Sequence, residues 1–178
     1  MDSRARWTER GSWGPLAGIL LAAVTAAHPV CTQEAGTVGA SRVRAGDPKA
    51  AALLSLGVTA SPTFRLIVET LEHSDLVVYV QTRPMTLPGQ LQLAAVASGS
   101  RYVRVSVRVP ARDSDLVAWL GHELQHAVEL AGAPEVVDQD SLMRYYERIG
   151  MRRSAAAAET VAAQQAWKKI LDEVKFGR

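Results

Sequence analysis

Three residues of this chain carry the most chemistry for their spacing: His122, Glu123 and His126. On an α-helix, residues four apart sit one turn apart on the same face, so both imidazoles can reach one metal ion. Glu123 projects beside them, about 100° around the helix. There a carboxylate can polarise a metal-bound water and take its proton. This is an HExxH arrangement, and zinc is the metal such imidazole pairs commonly hold. The competing account is a pair of ordinary helix-surface histidines. The neighbours argue against it: Leu120, Leu124, Ala127 and Val128 are apolar and Gln125 is uncharged.

A catalytic zinc needs a third protein ligand and one open position. No third histidine follows at the spacing of an H-x-x-G-x-x-H extension, since Gly132 falls too far from His126. The remaining candidates are Glu129, Glu135, Asp138, Asp140, Glu147 and Glu159. Glu147 lies off its apolar stripe, between Arg144 and Arg148, and reads as solvated. Glu135, Asp138 and Asp140 occupy a polar loop and a helix start, where Asp138 or Asp140 suits an N-cap. Glu129 is one turn beyond the histidines on the same face, better placed to hold a histidine than to bind the metal. Glu159 is expected on a helical stripe with Ala155, Ala162, Ala163, Ala166 and Ile170. A carboxylate buried there must be paired or bind a metal, and Glu159 is therefore the preferred third ligand. A buried salt bridge, or a Glu at the stripe's edge, is the alternative. His73 sits at a helix end and reads as a polar break.

The elements around these residues are legible from their periodicity. Asp113-Ser114-Asp115 supplies a cap and first-turn acids, and Gly132-Ala133-Pro134 a stop. Between them Leu116, Trp119, Leu120, Ala127 and Leu130 recur at helical spacing. Earlier, Asp47-Pro48 opens a helix closed by Gly57, and Ser61-Pro62 opens another with Phe64, Ile67, Val68 and Leu71 inward. Leu76 to Val80 reads as a central strand. Residues 91–97 and 101–109 read as an antiparallel pair turning at Ser98-Gly99-Ser100, with Val103, Val105, Val107 and Val109 inward. Leu142, Tyr145, Tyr146 and Ile149 mark a further helix. Ser154 is expected to cap a last one, running from Ala155 to about Val174. The expected class is α+β, with a small three-stranded sheet against the metal helix and C-terminal helices.

Formal charge is +2, which leaves no strong footprint for nucleic acid. The start resembles a secretory signal: Arg4, Arg6 and Arg10, then an apolar run from Leu16 to Ala27 with cleavage near Ala26. The run is short for a membrane span. The expectation is export to the periplasm or the outside, with membrane attachment only if residues 1–26 are retained. Residues 27–46 read as a linker and 47–178 as the folded domain. Cys31 is the single cysteine, so no internal disulfide forms. Val30 before it argues against a lipid anchor.

With HELQH and a downstream Glu-Thr-Val-Ala-Ala segment, residues 62–174 resemble the gluzincin class of zinc metallopeptidases, in a minimal bacterial form. That resemblance implies His122, His126 and Glu159 as ligands of Zn2+ and Glu123 as general base. It implies Tyr145 or Tyr146 as a group holding the oxyanion. It also implies an edge strand for extended peptide, and peptide or protein as substrate. The alternative is a zincin-like domain that binds zinc or peptide without turnover.

Overall fold

A computed structural model describes residues 41–154 and 157–177. The chain runs β1 (Val43–Ala45), α1 (Pro48–Ala60), α2 (Pro62–Glu72), β2 (Leu76–Arg83), β3 (Gly89–Ala97) and β4 (Ser100–Arg108). It continues through α3 (Asp113–Ala131), α4 (Gln139–Ile149), β5 (Met151–Ser154), β6 (Ala157–Glu159) and α5 (Val161–Phe176). The class is α+β, as expected.

The main sheet has four strands in the order β1-β2-β4-β3, one more than the sequence reading gave. The extra strand is β1, inside the segment read as linker. Val43 pairs with Val78 in parallel register and is itself buried. Three residues are too few to show a period, so the strand was invisible. Glu72 fixes it from α2, accepting the main-chain N–H of Arg42 at 2.8 Å and of Val43 at 3.2 Å. β2 and β4 are parallel, and β3 returns antiparallel to β4 through a turn with positive φ at Ser98 and Gly99. β3 is thereby an edge strand.

Alternation decides which face is covered. Val78, Val80, Val103, Val105 and Val107 point into one core with Leu116, Leu120, Leu124 and Leu130 of α3. Each such side chain gains about 1.5–3 kcal/mol from burial. Tyr79, Arg104 and Arg108 lie exposed on the opposite face. α5 packs over α3, where Gly121 admits Ile170; an added Cβ would collide with its Cδ1.

Three boundaries differ from expectation. α1 continues through Gly57 to Ala60, because Gly57 faces the Phe64 ring and serves close packing, not termination. α3 begins at Asp113 without a side-chain cap. α5 begins at Val161, with Thr160 and not Ser154 as its N-cap. Residues 151–154 and 157–159 form a two-stranded ribbon instead of a helix. Among the described residues, no single helix is long and apolar enough to cross a membrane. The expected signal, cleavage site and Cys31 lie outside the described residues.

Candidate metal centre

The apolar stripe of α3 carries His122, Glu123 and His126 into the interior, with 3%, 6% and 5% of their surfaces exposed. The two imidazole centroids are 4.8 Å apart, edge to face. Each ring is held through Nδ1. That of His122 lies 3.1 Å from the Ala163 carbonyl oxygen. A carbonyl only accepts, so Nδ1–H donates and a neutral ring keeps a lone pair on Nε2. Burial first, then the neighbouring His126, holds the His122 pKa below its ordinary value, which favours that neutral ring. His126 Nδ1 donates to Glu129 Oε2 at 2.9 Å. Burial pulls His126 down, but the Glu129 bond and the Glu123 charge outweigh it, and its net direction is upward.

Glu129 is the orienting partner that its position one turn beyond His126 implied. Its other oxygen accepts from Thr160 Oγ1 at 2.5 Å. Thr160 in turn caps α5, accepting from the Ala163 N–H at 3.1 Å. One chain of bonds thus runs from His126 through Glu129 to the start of α5, the kind of support that aims a ligating ring. Thr160 was missed in the sequence, although a threonine three residues before Ala163 is an N-cap signal.

Glu159 reaches the histidines by a different route from the one expected. It is the last residue of β6, paired with Met151, and not part of a helical stripe. Its Oε1 stands 3.4 Å from His122 Nε2. Its Oε2 accepts from Gln164 Nε2 at 3.2 Å. A carboxylate oxygen facing a neutral imidazole lone pair is a contact between two acceptors, satisfied by a proton on Nε2 or by a cation. Donors around a tetrahedral zinc with bonds of about 2.0–2.1 Å stand about 3.3 Å apart, close to this separation. Among the described residues, no group of three or more His, Cys, Asp or Glu side chains is arranged so that it could hold a metal ion.

Glu123 lies under the first residue of the edge strand. A Cβ added at Gly89 would come within 2.7 Å of Glu123 Cγ and 2.8 Å of Cδ. Burial raises the Glu123 carboxyl to about 7, with His126 opposing and Glu159 adding to the rise.

The tyrosines are placed otherwise than an oxyanion role requires. Tyr145 donates to the Glu129 carbonyl and Tyr146 to the His126 carbonyl, both at 2.9 Å. Both hydroxyl protons are committed to the α3 backbone, where they brace the C-terminal part of that helix. The Tyr146 ring also meets His126 edge-on at 5.2 Å. The other candidates stand apart. Glu135 pairs with Arg148 at 3.2 Å. Asp138 caps α4 in a capping box with Ser141, Asp140 lies in its first turn, and Glu147 is exposed. His73 is exposed, its Nδ1 2.7 Å from the Glu69 carbonyl.

Comparison with known protein families, curated proteins and solved structures returned no match.

Proposed function

We propose that this chain is a zinc-dependent hydrolase of zincin type that cleaves peptide bonds, with the ligand set of a gluzincin. The supporting observation is the His122 Nε2 lone pair facing the Glu159 carboxylate at the spacing of two zinc donors. The donor chemistry fits the metal: two imidazole nitrogens and a carboxylate, with both Nδ1 atoms already tied back. His122, His126 and Glu159 would hold the ion. When bound, zinc supplies a Lewis acid that lowers the pKa of water and polarises the scissile carbonyl.

The chain's own residues do the rest. Glu123 takes a proton from the attacking water and passes it to the leaving amine. Its raised pKa of about 7 suits a base working near neutrality. β3, unpaired on its outer side within the described sheet, offers main-chain donors and acceptors to an extended peptide, and its first residue, Gly89, packs on Glu123. Export to the periplasm or exterior belongs to the same proposal and rests on the N-terminal sequence alone.

Glu123→Gln separates chemistry from folding. An amide cannot take the proton, so the variant should keep zinc and its melting temperature while losing cleavage of a mixed peptide library. Retained cleavage would rule out the mechanism. A wild type that holds zinc yet cleaves nothing would establish the non-catalytic reading instead.

A further inference from the structure

Beside the candidate centre lies a pocket of about 570 Å³. His122 and Glu159 line one part of it, and Trp119, Trp167, Gln165 and Lys168 line another. The two indoles are 5.5 Å apart, inclined at 43°. The Trp167 indole N–H is buried and has no acceptor among the described residues. That nitrogen is shielded from solvent, so Trp167 lines the pocket with its ring carbons. Gln165 and Lys168 are exposed and add an amide and a cation.

These groups select a ligand. Two indole rings offer faces and edges to an aromatic side chain. The Lys168 ammonium is a donor suited to a carboxylate. The pocket's acid is Glu159, at the metal end, whereas Lys168 lies about two turns along α5. A ligand's negative charge is met there by the Lys168 ammonium, away from the centre. We propose that this pocket is a substrate subsite for an aromatic side chain carried next to a free carboxylate, as at the C-terminal residue of a peptide. Naming it a substrate subsite rests on the hydrolase reading; the binding chemistry does not.

The test uses the zinc-free, full-length Glu123→Gln protein, labelled with ¹⁵N. It is titrated with N-acetyl-phenylalanine, N-acetyl-phenylalaninamide and N-acetyl-alanine. The Trp167 indole N–H resonance, assigned with Trp167→Phe, is the readout. N-acetyl-phenylalanine should shift it and bind roughly tenfold tighter than N-acetyl-alanine. It should also bind several-fold tighter than the amide. Lys168→Met should erase the difference between acid and amide, while Lys169→Met, outside the lining, should keep it. Equal binding of the phenylalanine and alanine probes, or an unmoved indole resonance, would overturn the proposal. Binding here with no hydrolysis by wild type supports the subsite and removes only the hydrolase reading. Hydrolysis by wild type with no shift at Trp167 overturns the subsite alone.

Discussion

Gly89→Ala should disable the site without unfolding the protein. Gly89 has no positive φ, so alanine fits its backbone. The obstacle is Glu123. A methyl at Gly89 would stand 2.7 Å from Glu123 Cγ and 2.8 Å from Cδ, where apolar contacts settle at about 3.5–4.0 Å. Something must move by about 1 Å. β3 is held by β4, with Gly89 opposite Val107, and α3 is fixed in the core. The Glu123 side chain is the part free to yield. Overpacking of this kind costs about 1–3 kcal/mol. Misplacing a catalytic group by about 1 Å costs on the order of a hundredfold in rate. Melting temperature, zinc content and peptide cleavage should be measured on wild type and variant together. The expected result is a modest loss of stability, unchanged zinc, and a fall in kcat of about two orders of magnitude. Full activity in a folded variant would refute the claim that Gly89 sets the Glu123 position.

Asp75→Asn tests the clamp beyond the end of α3. Buried Arg101 binds Asp75 at 2.7 and 2.9 Å and holds the Ala133 carbonyl at 2.7 Å, so the variant should lose about 2 kcal/mol. That is less than for a fully buried pair, because the Asp75 side chain is 39% exposed. Arg101 holds the Asp75 carboxyl below its usual pKa. Its contribution is therefore present above about pH 4 and lost as pH falls through the lower folded value. Denaturant unfolding should show the wild-type advantage closing in acid, and a gap that widens there would contradict the assignment. Thr160→Val removes both the α5 cap and the Glu129 anchor. It should cost about 1–2 kcal/mol and weaken zinc binding roughly tenfold, read by calorimetry. Unchanged zinc affinity would show that Glu129 is positioned by something else.

α3 was legible because its apolar residues repeat at 3.6 over a long stretch, and the β3–β4 hairpin because Val103 to Val107 alternate after a turn signal. What failed was short or non-periodic. β1 has only three residues and is recognisable through its pairing with β2. The alanines before Glu159 favour a helix locally, yet residues 157–159 pair with the strand at Met151, and the helix waits for the Thr160 cap. Glu159 still arrives beside His122, carried by a strand end. The tyrosines were legible as a helical pair, but the direction of a hydroxyl depends on which carbonyl lies opposite. Likewise, Gly89 reads as loop punctuation until β3 is folded over Glu123.

Zinc content tests the central claim most directly. The full-length protein, its His126→Ala variant and its Glu159→Ala variant should each be reconstituted with zinc, dialysed and subjected to elemental analysis. Wild type should hold about one zinc per molecule, His126→Ala should hold none, and Glu159→Ala should retain much less than wild type, with a lower melting temperature. A wild type without bound zinc would contradict the account, and full zinc in Glu159→Ala would remove Glu159 from the ligand set.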